Sequence, residues 1–353
     1  WTSQQYRAAR RFQCGSSRVP GGRCMSYRQV VLHKYPEGAP KPEDFAVVDA
    51  GPPPPLGEGD VRVEIQWLSM DPLPLVRMAE RSPMGPSMRL GAFVEGRGGG
   101  RIIESRDDRF ARGDFVVGEV GWREVATLSA ASLTRVDPAL GGLDLHLGIL
   151  GASGLTGYFL AELASARAGQ TVLVAPAAGS VGMVATQLLA REGAKVVGIV
   201  GGEHQSEFVR GLGAVRTVDH RTDQLHAALN DVLAEGWDAF LDGVGGLTHE
   251  AALPLMNVHA RLVLFGFISG YGNEAPPSYG NAAPILLKRA TAFGFLLSDF
   301  VDRHEEARRH LARKLEEGSL ASHNHITHGL DQTPSAFSAL FGDAAPGKQL
   351  IKI

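Results

Sequence analysis

The chain has 353 residues, 44% of them hydrophobic and 21% charged, with a formal net charge of −3 at pH 7. That length exceeds what one hydrophobic core fills, so two domains around a cleft are expected. A near-neutral charge offers no field for gathering nucleic acid, and no apolar run reaches the roughly 18 residues of a membrane span.

Residues 1–25 are rich in Arg, Ser, Gly and Gln and show no apolar period, which reads as an expression tag or a disordered tail, with an Arg- and Ser-rich transit peptide as the rival. The two cysteines, Cys14 and Cys24, both lie there. The patterned chain therefore has neither a disulfide framework nor a thiolate metal site, which suits a reducing, cytoplasmic compartment. From residue 26 to about 147 short alternating strands are broken by Gly and Pro, at 29–33, 61–65, 100–103 and 114–117, giving a β-rich domain. The run Gly51-Pro52-Pro53-Pro54-Pro55-Leu56-Gly57 cannot sustain a ladder and is a surface loop.

From about residue 148 strands alternate with helical patterns, the signature of a doubly wound parallel sheet in an α/β domain. Strands are expected at 171–175, 195–200, 215–218, 239–242 and 261–267, and helices at 181–191, 206–212 and 225–233. A long charged helix follows at 302–317. Thr333-Pro334 then caps a short helix, and a terminal strand at 349–353 returns to the β-rich domain.

The chemical signal is Ala177-x-Gly179-x-x-Gly182, directly after a strand and opening a helix. The first small residue allows the tight turn, the second lets a pyrophosphate approach the backbone, and the third permits close helix packing. The helix N-terminus adds free amides and the positive end of its dipole. At the end of the next strand an acid would accept from the ribose 2′-hydroxyl of NAD, but this chain has Val200 and Gly201 there, favouring NADP. Glu203 lies just beyond and is within reach of a ribose. His204, His220 and Arg221 are either phosphate partners or ordinary surface side chains.

Other chemistries fit less well. His323, His325 and His328 invite a metal reading, with His323 and His325 on one strand face, but no carboxylate stands at useful spacing, so no metal is expected. Gly151-Ala152-Ser153-Gly154-Leu155 fails the last position of a hydrolase nucleophile elbow. The segment Phe265-Gly266-Phe267-Ile268-Ser269-Gly270-Tyr271 leaves a strand for a Gly- and Pro-rich loop reaching about Asn281. There Tyr271 either meets a substrate oxygen or packs on the loop's prolines.

These features together resemble the medium-chain dehydrogenase/reductase superfamily, and within it the zinc-independent alkenal/prostaglandin (leukotriene B4 12-hydroxydehydrogenase-like) reductases. The marks are Ser69-Met70-Asp71-Pro72, Gly121-Trp122-Arg123-Glu124, the run from Leu150 to Phe159, the 177–182 turn, Asp242-Gly243-Val244-Gly245-Gly246, the 265–271 segment and Gly347-Lys348. The resemblance implies a GroES-like β-rich domain (26–147 and 325–353) beside a Rossmann domain (148–324), in a homodimer. It also implies NADPH-dependent reduction of the C=C bond of a small enone or alkenal, with a quinone reductase or a non-catalytic cofactor-binding protein as alternatives. It places Ala178, Gly179, Ser180, Val181, Gly182, Gly201, Gln205 and His220 on the cofactor, together with Thr156, Gly243, Phe265, Gly266, Phe267, Ile268, Phe295 and Leu297. Met70, Asp71 and Tyr271 fall on the substrate, with Tyr271 stabilising an enolate. Departures from the family are Gln205 for a lysine, His220 for a tyrosine, Gly243 and Ala345 for asparagines, and Leu73 for an aromatic.

Overall fold

The computed structural model describes residues 26–82, 85–272 and 280–353. The reading of residues 1–25 and the middle of the expected loop, 273–279, lie outside them. No helix among the described residues is long and apolar enough to cross a membrane.

The N-terminal part is built of β1 (Arg28–Leu32), β2 (Phe45–Asp49), β3 (Asp60–Ser69), β4 (Arg97–Ser105), β5 (Phe115–Glu119), β6 (Val125–Ser129) and β7 (Leu133–Arg135), closed by a short α1 (Leu143–Leu147). The chain then continues through α2 (Ala152–Ala164), β8 (Thr171–Ala175), α3 (Gly182–Arg191), β9 (Lys195–Val200), α4 (Glu203–Gly211), β10 (Arg216–Asp219), α5 (Leu225–Val232), β11 (Trp237–Asp242), α6 (Gly246–Ala252), β12 (Met256–Leu264), α7 (Ala283–Lys288), β13 (Thr291–Gly294) and α8 (His304–Glu316). It ends with β14 (Asn324–His328), α9 (Thr333–Ala339) and β15 (Lys348–Lys352).

The second sheet runs β10-β9-β8-β11-β12-β13, all parallel. Counted from β8 this is the order 3-2-1-4-5-6, whose reversal point lies between β8 and β11, and ligands of such sheets bind at the carboxyl ends of the strands there. Both faces are covered, one by the cluster around Leu155, Phe159, Val184 and Leu188, the other by Leu229, Trp237, Phe240 and Leu253. The first sheet runs β14-β15-β3-β4-β5-β7, with β6 also on β3. The terminal strand rejoins it antiparallel to β3, Leu350 opposite Ser69. Phe337 of α9 reaches the same core, its ring 5.0 Å from that of Trp122. The architecture is thus a Rossmann-type sheet beside a mostly stranded, GroES-like domain.

Three local readings change. Thr333 does not cap α9: Gln332 holds that position, Pro334 sits within the first turn, and the buried Thr333 hydroxyl has no hydrogen-bond partner among the described residues. The strand expected at 261–267 is β12, which runs from Met256 to Leu264; the Phe265 amide still makes a ladder bond to Asp242 O (2.9 Å), and the chain then folds over the next turn, Ile268 N on Gly243 O (3.1 Å). The helix α2 has no counterpart among the expected elements. It is buried nearly all round, so it lacks an amphipathic period, and Gly154 and Gly157 let it sit against Ile149 O and Val181 O, where a Cβ would come within 1.7 and 2.8 Å. Ser153 is buried in that helix.

Candidate functional site

A cleft of about 2320 Å³ runs across the carboxyl ends of the parallel strands and up to the first sheet. At its floor β8 passes into the turn 176–181 and α3. Ala177 is fully buried, its amide on Ile199 O at 2.9 Å. The amide of Met183 turns back to Gly179 O at 2.9 Å, whereas those of Ser180, Val181 and Gly182 donate to no backbone carbonyl among the described residues. They form the free N-terminus that a pyrophosphate fits.

The two glycines of this turn do different work. A Cβ on Gly182 would stand 2.1 Å from Pro176 O, whereas one on Gly179 would meet nothing nearer than 3.6 Å. Gly182→Ala is therefore expected to destabilise the fold by about 1–3 kcal/mol. Gly179→Ala is expected to keep the wild-type Tm yet weaken dinucleotide binding about tenfold, since its cost falls on the ligand's approach. Thermal unfolding and titration calorimetry on the pair check this.

The end of β9 itself carries no acid: Val200 and Gly201 line the cleft there. Glu203 is 72% exposed and ion-paired with Arg210, and neither Glu203 nor His204 lines the cleft. Gln205 does, but its amide is engaged at both ends: Oε1 accepts from Gly201 N (2.9 Å) and Nε2 donates to Ala344 O (3.3 Å). Arg221 lies flat against Gly201, with Nε and Nη2 each 3.1 Å from where a Cβ there would be. Burial, and then the Arg221 guanidinium, hold the His220 imidazole below its ordinary pKa against the pull of Asp219.

Beyond β11 the turn 243–245 is fixed by the buried Asp242 carboxylate. Its Oδ1 accepts from Val244 N (2.8 Å) and Gly245 N (3.0 Å), and its Oδ2 faces His249 Nδ1 at 2.8 Å. A Cβ on Gly243 would stand 2.5 Å from the Phe265 ring, so that ring fills the space a side chain at 243 would take. The chain returns over this turn, Ile268 N on Gly243 O (3.1 Å) and Ser269 Oγ on Val244 O (2.6 Å), and delivers Tyr271. The phenol ring stands edge-on to Phe267 at 5.0 Å and packs on the core of the first sheet. Gly272, at φ +80°, lies so close to Gly38 O that a Cβ would approach to 2.3 Å. Burial pushes the Tyr271 phenol above its ordinary pKa, against a weaker backbone contact from Phe267. The alternative partners of Tyr271, Pro276 and Pro277, fall outside the described residues.

The facing wall carries Met70 and Asp71. Lys348, 1% exposed, donates through Nζ to Asp71 Oδ1 (2.6 Å) and Met70 O (2.9 Å), and Ser69 Oγ donates to Asp71 Oδ2 (2.6 Å). Burial alone would raise the Asp71 carboxyl, but the Lys348 ammonium and the Ser69 hydroxyl outweigh it and hold it below the usual carboxylate value.

Of the residues expected at the cofactor or substrate, Thr156, Ala178 to Gly182, Gly201, Gln205, His220, Gly243, Phe265 to Ile268, Phe295, Met70, Asp71 and Tyr271 all line this cleft. Leu297 does not. It turns into the core cluster of Phe159, and its neighbour Leu296 lines the cleft instead. Sequence reasoning gave no role to the segment 340–347, nor paired Lys348 with Asp71. A lone lysine opening an apolar strand was the available signal, since a buried ammonium requires a partner. His323 precedes β14 and packs on Phe208 (5.0 Å), apart from His325, and no three His, Cys, Asp or Glu side chains among the described residues cluster to hold an ion.

Residues 28–136 match the model of an N-terminal domain of oxidoreductases, and residues 180–315 that of zinc-binding dehydrogenases. The chain is 34% identical over 336 residues to an NADP-dependent oxidoreductase of Bacillus subtilis, covering 93% of this chain and 98% of the relative. It is 30% identical to the NADP-dependent 2-alkenal reductase of Nicotiana tabacum, covering 93% and 98%. The crystal structure of CurA from Vibrio vulnificus in complex with NADPH superposes with a TM-score of 0.85 at 28% identity, covering 92% and 98%. With this fold, this strand order and these relatives, the chain belongs to the medium-chain dehydrogenase/reductase family, among its NADP-dependent alkenal and prostaglandin reductases.

Proposed function

We propose that the protein reduces the C=C bond of α,β-unsaturated ketones and aldehydes with NADPH. The carrying observation is one cleft that holds the free amides of α3, an end of β9 with no acid of its own and the Tyr271 phenol, whose pKa burial raises. When bound, NADPH supplies a hydride to the electron-poor β-carbon, and a solvent proton completes the α-carbon. Ser180, Val181 and Gly182 hold the pyrophosphate by their amides, and Gly201, His220 and Arg221 face the adenosine ribose. Thr156, Gly243, Phe265 to Ile268 and Phe295 line the path of the nicotinamide. Tyr271 donates to the carbonyl oxygen as charge develops there, and Met70 and Asp71 form the opposite wall. The test is a panel of enones, enals and quinones with NADPH and NADH side by side. Enone- and enal-dependent oxidation of NADPH is expected, with NADH far weaker. Turnover of quinones alone, or binding without turnover, would sink the reading.

We further infer that residues 26–147 with 325–353 form the substrate-side domain and 148–324 the cofactor domain of a cytoplasmic homodimer. The open edge of the parallel sheet at β13, with Leu286, Leu287, Leu296 and Val301 all at least 60% exposed nearby, supports pairing of two copies there. Light scattering giving twice the 37.6 kDa chain mass is the expected result.

A further inference from the structure

The rim of the cleft at the adenosine end is not made by the parallel sheet alone. The segment 342–347 is stitched along it. Gln205 holds Ala344 O, Gly347 N donates to Ala178 O (2.8 Å), and Arg221 Nη2 donates to Gly342 O (3.1 Å) while pairing with Asp343 Oδ1 (2.9 Å). Arg221 is thus a cation lying flat on Gly201 at the end of β9, where a 2′-substituent of an adenosine ribose would arrive. Its Nε and Nη1 donate to nothing among the described residues, while the remaining nitrogen is engaged by a carboxylate from the far end of the chain.

We propose that Asp343 occupies Arg221 in place of the cofactor's 2′-phosphate, so that NADPH binds by displacing it and Asp343 thereby sets how tightly this chain holds NADP(H). The inference rests on the NADPH reading above. Asp343 is 90% exposed, and an exposed arginine–carboxylate pair is weak. A phosphate brings up to two charges and three acceptor oxygens to the same planar fork and wins the exchange. Once displaced, the carboxylate remains within a Debye length of the phosphate and repels it, so its effect has one sign throughout. A ligand with a free 2′-hydroxyl has no need of Arg221 and displaces nothing.

The experiment is titration calorimetry of the full chain with 2′,5′-ADP and with 5′-AMP, which need no turnover. Asp343→Asn is expected to tighten 2′,5′-ADP about two- to fivefold and leave 5′-AMP unchanged. Arg221→Gln is expected to weaken 2′,5′-ADP about ten- to a hundredfold, again sparing 5′-AMP. Arg221→Lys, which keeps the charge but loses the fork, falls between and guards against a folding defect. In the Arg221→Gln background, Asp343→Asn is expected to have no effect. Tightening of both ligands alike, no change on Asp343→Asn, or the same gain without Arg221 would each overturn the exchange. Wild-type protein binding 2′,5′-ADP no better than 5′-AMP would instead overturn the NADPH reading and the exchange together.

Discussion

Replacing Tyr271 by Phe is expected to lower kcat/KM for an enone about a hundredfold, while the Kd for NADPH and the Tm stay at wild-type values. The size follows from the role proposed for the phenol. A hydride delivered to the β-carbon would move charge onto the carbonyl oxygen, and a donor placed there would stabilise the transition state more than the neutral substrate. The loss is confined to chemistry because the loop is held without the hydroxyl. Ile268 and Ser269 are bonded to the 243–244 turn, Gly272 is wedged on Gly38, and the ring keeps its edge contact with Phe267 at 5.0 Å. Burial raises the phenol's pKa, and the donor is the protonated form, which is populated below that raised value. The contribution of Tyr271 to kcat/KM is therefore expected to be constant from neutral pH up to about pH 10, the ordinary tyrosine value. Steady-state rates for Tyr271→Phe and wild type over that range check both points, and an unchanged kcat/KM would remove Tyr271 from the mechanism.

What the sequence made legible was local. The 177–182 turn declares itself because a strand entering a helix within six residues imposes residue sizes at fixed offsets, and Gly182 under Pro176 O is that rule made concrete. The strands β8, β9 and β11 are short apolar runs whose neighbours are set by crossover rules, so the doubly wound order was accessible as well. Features that depend on distant parts of the chain were not. The chain leaves β12 where Ile268 N and Ser269 N bond to the Gly243 and Val244 carbonyls, contacts with a distant turn that no propensity of the segment encodes. Leu296 and Leu297 are equally apolar, and only packing against the core cluster of the parallel sheet decides which faces the cleft. A helix buried on every side, such as α2, has no polar face to reveal its period. The hold of Arg221 on residues 342–343 ties the end of β10 to a segment more than a hundred residues later in the chain, and sequence supplied Arg221 as a candidate without its competitor.

The largest effect on stability is expected from Lys348→Met, at about 3–5 kcal/mol of unfolding free energy. Lys348 and Asp71 are 277 residues apart in sequence, yet Nζ and Oδ1 meet at 2.6 Å where β15 lies beside β3, with the ammonium 1% exposed. A methionine fills the volume but leaves the Met70 carbonyl without its Lys348 donor and the Asp71 carboxylate with the Ser69 hydroxyl and the more distant charge of Arg97. Because both partners are desolvated, the cost is that of an orphaned charge rather than of the pair itself. The double variant Asp71→Leu with Lys348→Met, which removes both charges, is accordingly expected to recover most of the loss. The pH dependence carries the same signature. The Asp71 pKa is depressed in the folded state, so its contribution is fully present above the ordinary carboxylate value near 4 and is lost as pH falls through the lower folded value. In the double variant that part of the acid limb is expected to disappear, and in Lys348→Met alone to reverse, because burial then raises the Asp71 carboxyl and its protonation relieves the orphaned charge. Denaturant unfolding of the wild type and of both variants between pH 7 and 3 measures each term. A double variant no more stable than Lys348→Met alone would show that the lysine acts through packing and not through Asp71.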